Sequence, residues 1–141
     1  MMKTIFGTFV LASLALALPA FAAEDTLYAD MGGQAGIERL VSVSVDNYLA
    51  DDRIKAIFNE SNMDRVRVEL KDQFCQIAGG PCVYKGHSMA ATHKGLHLTN
   101  ANFNALVEDL QAAMDTCDIS FATQNRFLAR LAPYQREVVT Q

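Results

Sequence analysis

The sequence specifies an all-α fold. Along most of the chain, apolar residues return at intervals of three and four, the spacing that places side chains on one face of an α-helix. No stretch of roughly four to eight residues alternates apolar and polar with β-branched or aromatic enrichment, so a sheet has no support. Glycine and proline gather at a few points, chiefly Gly32-Gly33, Gly79-Gly80-Pro81, Gly86 and Pro133, which divide the helical pattern into segments. With 141 residues, 50% of them hydrophobic, the chain builds one core and not two.

The N-terminus has the form of a secretory signal peptide over residues 1–22. Met1 to Lys3 carries a positive charge, Ile5 to Leu18 is an uncharged apolar run, and Ala20-Phe21-Ala22 is a small-x-small cleavage pattern. That run is shorter than the roughly 20 residues that span a bilayer, and Pro19 breaks it. The expectation is cleavage near Ala22, export to a periplasm, no stable membrane insertion afterwards, and a single folded domain over residues 23–141. Removing residues 1–22 takes away Lys3 and no acid, which leaves 11 bases against 16 acids and a formal charge of −5. The densest basic grouping, Arg65-Val66-Arg67, is too sparse for the counterion release that drives nucleic-acid binding, so no nucleic-acid partner is expected.

Leu27-Tyr28 precede the Gly32-Gly33 break, and Ile37, Leu40, Val41 and Val45 then mark a first long helix reaching Tyr48-Leu49. Asp51 or Asp52 is placed to cap a short segment ending at Ile57-Phe58, and the polar stretch Asn59 to Asn62 interrupts the pattern. Met63, Val66, Leu70, Phe74 and Ile77 form the cleanest stripe, ended by Gly79-Gly80-Pro81. A turn-rich stretch leads to a short helix over roughly Ser88 to Gly95, and Thr99 or Asn100 caps the next, whose stripe is Phe103, Leu106, Val107, Leu110 and Met114. Ser120 caps the last long helix, with Phe121, Gln124, Phe127, Leu128 and Leu131 inward until Pro133 removes a backbone donor, and a further turn or two can follow. Helices this short leave room between them for a cofactor.

Three cysteines fall after residue 22, an odd number. Cys75 and Cys82 are the natural disulfide pair, because the intervening glycines let the chain double back. A metal site and free thiols are the alternatives, and Cys117 reads as a small buried apolar residue.

In order and spacing, Leu27-Tyr28, Gly32-Gly33, Asp51-Asp52-Arg53-Ile54 before Phe58, Gly79-Gly80-Pro81, Tyr84-x-Gly86, Met89-x-x-x-His93-x-x-Leu96 and Phe103 together resemble the group I truncated haemoglobins. The match covers nearly all of residues 27 to 139. It implies a two-over-two helical sandwich around haem b, with His93 as the proximal iron ligand and Met89 and Leu96 one turn to either side against the porphyrin. The chemistry agrees, since a neutral imidazole suits haem iron. By the same resemblance Phe58 wedges against the haem, and the stripe Met63, Val66, Leu70 and Phe74 crosses the distal side. Tyr84 and His87 are candidates for a propionate contact, with a packed turn and an exposed loop as the other readings. His97 is expected at the surface.

The chain departs from the family on the distal side. Where many members carry a tyrosine and glutamines, counting back from Asp51-Asp52-Arg53 gives Val45, and the distal helix offers Val66 and Leu70. Dioxygen in such a pocket loses charge-assisted hydrogen bonds worth about 1.5 to 3 kcal/mol each. Tyr48 and Gln73, each almost a turn further on, would need a helix rotation to replace them. Glu69, where some relatives place a ligating histidine, is a poor ligand for ferrous haem, so a pentacoordinate ferrous state is expected. The leading function is reversible capture of dioxygen, nitric oxide or carbon monoxide. The alternatives are a haem enzyme, such as a nitric oxide dioxygenase or a peroxidase-like protein with an unidentified reductase, and a haem-free helical adaptor in which His93 is structural.

Overall fold

The computed structural model describes residues 25–140, so the expected signal peptide over residues 1–22 lies outside the described residues. In chain order the helices are α1 (Leu27–Asp30), α2 (Gly33–Ala50), α3 (Met63–Ile77), α4 (Met89–His93), α5 (Asn100–Thr116), α6 (Phe121–Leu131) and α7 (Gln135–Val138). Short 3-10 turns at Lys55–Phe58 and Ala132–Tyr134 join them, and no strand occurs among the described residues. No described helix is long and apolar enough to cross a membrane.

Two pairs of helices form the body. Helix α2 packs on α3 within one layer and on α5 across the sandwich, while α3 meets α6. This is the expected two-over-two arrangement. Helix α2 lies between two partners, and its buried arc is correspondingly wide: Ile37, Leu40, Val41, Ser44, Val45 and Tyr48 are all buried. Across the layers the Phe74 ring meets Phe127 edge-on, with centroids 5.1 Å apart and planes at 79°.

The caps explain where each helix starts. The Asn62 side chain accepts from Arg65 N–H, Ser88 from Ala91 N–H and Ser120 from Thr123 N–H. Thr99 and Asn102 cap α5 reciprocally in a capping box. At the other end of α3, Gly79 takes φ +85°, Gly79 N–H donates to Gln76 O and Gly80 N–H to Cys75 O. These paired bonds are the Schellman termination that a left-handed residue permits.

Three expectations are corrected and one, the Asp51 cap, holds. Phe121 does not face inward but is 74% exposed, because it is the first residue of α6 and its side chain leans N-terminally past the end of the packed layer. Helix α4 stops at His93, two residues before Gly95, where Lys94 leaves the helical region (ψ 126°) and Gly95 turns at φ +81°. Asp51 caps the start of the turns that reach Phe58, as expected: its carboxylate accepts from Arg53 N–H at 2.8 Å and its carbonyl from Ile54 and Lys55 N–H. Met89 and Leu96 therefore do not share one helix with His93 between them; Leu96 reaches its place from the loop beyond.

Candidate functional site

A cavity of about 250 Å³ opens between the two layers and α4. From α3 it is lined by Val66, Glu69, Leu70, Gln73 and Phe74, from α4 by Met89, Thr92 and His93, and from the loops by Phe58, Tyr84 and Leu96. Phe103 and its α5 neighbours Leu106, Val107 and Leu110 close the far wall. All nine residues read from the sequence as cofactor contacts thus line one cavity: His93, Phe58, Val66, Leu70, Phe74, Tyr84, Met89, Leu96 and Phe103. Met63 packs on the core and is not part of the wall, and neither His87 nor His97, both exposed, reaches it. His97 holds a left-handed φ of 52°.

The imidazole of His93 is oriented by its own helix. Nδ1 lies 2.7 Å from the carbonyl oxygen of Met89. A carbonyl only accepts, so Nδ1 carries the proton and the neutral ring keeps a bare lone pair on Nε2, the form a metal ligand requires. A five-residue helix begun by the Ser88 cap brings that ring to the cavity wall with few neighbours to obstruct it.

The wall also holds two polar groups that need no helix rotation. Tyr48 is 2% exposed, lines the cavity and stacks on Phe58 with centroids 6.0 Å apart and planes 6° from parallel. Its hydroxyl is buried beside the equally buried Ser44 hydroxyl, and burial holds its proton far more tightly than in an ordinary tyrosine. Val45, which simple counting placed at the ligand, is instead fully buried in the core and absent from the cavity wall. Gln73 also lines the cavity, and its Nε2 donates to Met89 Sδ at 3.1 Å. Glu69 sits at the edge, with its carboxylate 2.7 Å from Arg65 Nε. Phe58 is half-buried, one ring face against the cavity and the other side on the core.

Sequence reasoning missed Ile54, Ile57, Leu98, Asn102, Tyr134 and Val138 as wall residues. Tyr134 and Val138 follow Pro133 in segments of one turn each, too short to show a periodicity. Leu98 stands alone before the Thr99 cap, and only its 6% exposure reveals it.

The apolar slot, the single imidazole with a free Nε2 and the absence of charged side chains among the inner wall residues suit a flat, apolar, iron-bearing ring. They define a small helical haem protein. The bacterial-like globin family matches residues 26–140, and the chain belongs to it, among the group I truncated haemoglobins. It is 36% identical over 97 residues to the group 1 truncated haemoglobin of Tetrahymena thermophila, a match covering 69% of this chain and 80% of that one. The structure superposes on the truncated haemoglobin of Tetrahymena pyriformis in its Fe(III) form with a TM-score of 0.79 and 28% identity, covering 82% of this chain and 98% of the other. The Synechococcus 2/2 haemoglobin, in the cyanomet state and with covalently attached haem, gives a TM-score of 0.76 at 25% identity, with 82% and 98% covered. Membership makes this a haem-binding globin with haem b as its cofactor, and it removes the haem-free adaptor from consideration.

Proposed function

We propose that the protein binds a diatomic gas reversibly at haem b held through His93 Nε2. The observation that carries this reading is the 2.7 Å bond from His93 Nδ1 to Met89 O, which fixes the tautomer and leaves Nε2 as the only free ring nitrogen. When bound, haem supplies an iron with one open position for a small gas. The chain's own residues do the rest. Val66, Leu70 and Phe74 would keep water from the cavity, and Phe58 and Phe103 would pack against the haem held there. Tyr48 is the wall's candidate donor to the gas: its hydroxyl is buried, burial favours its protonated form, and the Ser44 hydroxyl lies beside it. Gln73 is a weaker second donor, since its amide is engaged only with a thioether sulfur.

Binding is favoured over turnover. A peroxidase-like reaction wants a distal acid-base group, and Glu69, the one carboxylate at the wall, is held by Arg65 at the rim. Nitric oxide dioxygenation would further need a reductase. The Cys75–Cys82 disulfide supports export to an oxidising compartment such as the periplasm, in line with the signal-peptide pattern. The test is equilibrium and stopped-flow binding of dioxygen and carbon monoxide to the reduced, haem-loaded protein. Reversible one-to-one binding from a pentacoordinate state supports the reading. A six-coordinate ferrous spectrum that no gas displaces overturns it.

A further inference from the structure

The loop from α3 to α4 leads into the helix that carries His93, which also packs on α7 and takes the Gln73–Met89 bond, and three straps shape that loop. Cys75, fully buried in the last turn of α3, is bonded to Cys82 with Cα atoms 5.7 Å apart. Tyr84 N–H donates to Gln76 Oε1 at 2.7 Å, and the Tyr84 hydroxyl donates to His87 O at 2.8 Å, next to the Ser88 cap of α4. Only the first is covalent, and only it can be cut by chemistry that leaves the sequence intact. The two sulfurs differ in access. Cys75 has 0% exposure, whereas Cys82 is half-buried between exposed Pro81 and Val83, the latter 64% exposed. At Gly80 the backbone passes so close to the Tyr28 ring and Cys75 Sγ that a Cβ there would collide with both, at 2.6 and 2.7 Å. The bridge is thus buried at Cys75 and approachable only through Cys82, which is partly exposed while packing on the core.

We propose that Cys75–Cys82 is a thiol-exchange site for an external dithiol, and that its redox state sets how firmly the loop holds His93 and how long haem stays bound. This rests on His93 being the iron ligand. One thiolate of the dithiol attacks Cys82 Sγ, the sulfur–sulfur bond breaks, and Cys75 leaves as a thiolate that takes up a proton. The second thiol of the reagent then attacks the mixed disulfide and releases Cys82 as a thiol. The reagent is oxidised to its disulfide by two electrons, and both cysteines are reduced. Afterwards the Gln76 and Tyr84 straps and the Gln73–Met89 bond remain between α3 and α4.

The test uses the haem-loaded protein, oxidised and after dithiothreitol, beside the Cys75→Ala/Cys82→Ser and Gln76→Ala variants. Haem transfer to excess apomyoglobin gives the rate, and far-UV circular dichroism the fold. Opening the bridge should speed haem loss on the order of tenfold at unchanged helicity, the size expected for loosening a group that orients a ligand. Gln76→Ala should speed it less when the bridge is closed than when it is open, because both straps act on one loop. Equal rates with the bridge open and closed overturn the proposal, as does loss of helicity on reduction, which would make the bridge a general staple. If His93→Ala holds haem as the parent does, the His93 reading fails instead, whatever the bridge does.

Discussion

The rings of Tyr48 and Phe58 lie 6.0 Å apart and 6° from parallel, which holds a buried tyrosine on the cavity wall with its hydroxyl beside that of Ser44. On the proposed reading, a hydroxyl so poorly bonded in the haem-free fold, at a cost of up to about 1 to 3 kcal/mol, finds its partner in the bound gas. Tyr48→Phe should therefore leave the apoprotein as stable or slightly more stable in thermal unfolding. The same change should speed dioxygen dissociation by about 10- to 100-fold, the equivalent of a lost hydrogen bond of 1.5 to 3 kcal/mol. Unchanged dissociation would show that the hydroxyl plays no part in ligand retention.

Gln73→Leu removes the second donor and the contact with Met89 Sδ. Its effect on dioxygen dissociation should be smaller than that of Tyr48→Phe, and carbon monoxide, which gains little from hydrogen bonding, should respond to neither. A larger effect at Gln73 than at Tyr48, measured by stopped flow, would reverse the assignment of the two donors.

Much of this architecture was legible from the chain. The stripes of α3 and α5 and the caps Thr99 and Ser120 stand where the sequence pattern placed them, because each of these helices turns one apolar stripe toward the core and the cavity and begins at a residue whose side chain caps it. Helix α2 was harder. Packed on both α3 and α5, it buries Val45 and Tyr48 alike, and no spacing rule says which sector of a wide buried arc faces a cavity instead of a helix. Counting favoured Val45, and the structure favours Tyr48. Phe121 failed for a related reason: periodicity gives a side chain's angle around the axis but not whether a neighbour extends far enough to cover it.

Stability should respond to pH through two opposing sets of carboxylates. Arg130 holds the Asp25 carboxyl below its ordinary pKa, and Arg53 does the same for Asp51. Each adds stability that is complete above the unfolded value of about 3.9 and lost as pH falls through the depressed folded value. Asp109 runs the other way, raised by burial and by the nearby Asp51 charge, with Oδ2 unpartnered. Its folded form takes a proton sooner than the unfolded chain, so it costs stability as pH rises from about 4. Asp109→Asn should be more stable than the parent at neutral pH, with the gap closing toward acid in denaturant titrations. A less stable Asn variant at neutral pH would contradict this.

Phe127 is fully buried and supports Phe74, a wall residue, edge-on. Phe127→Ala should cost about 3 to 5 kcal/mol, the range for truncating a core aromatic, and should also weaken haem retention by freeing the Phe74 ring. Thermal unfolding with and without haem checks both. Destabilisation of the apoprotein with no change in haem loss would confine the pair to the core.

The most direct test of the central claim is the absorption spectrum of the haem-loaded protein, oxidised, reduced and with carbon monoxide, beside His93→Ala. Iron held by His93 predicts a Soret band that shifts with carbon monoxide in the parent and is lost or strongly altered in the variant. Identical spectra in the two proteins would mean that another residue holds the iron.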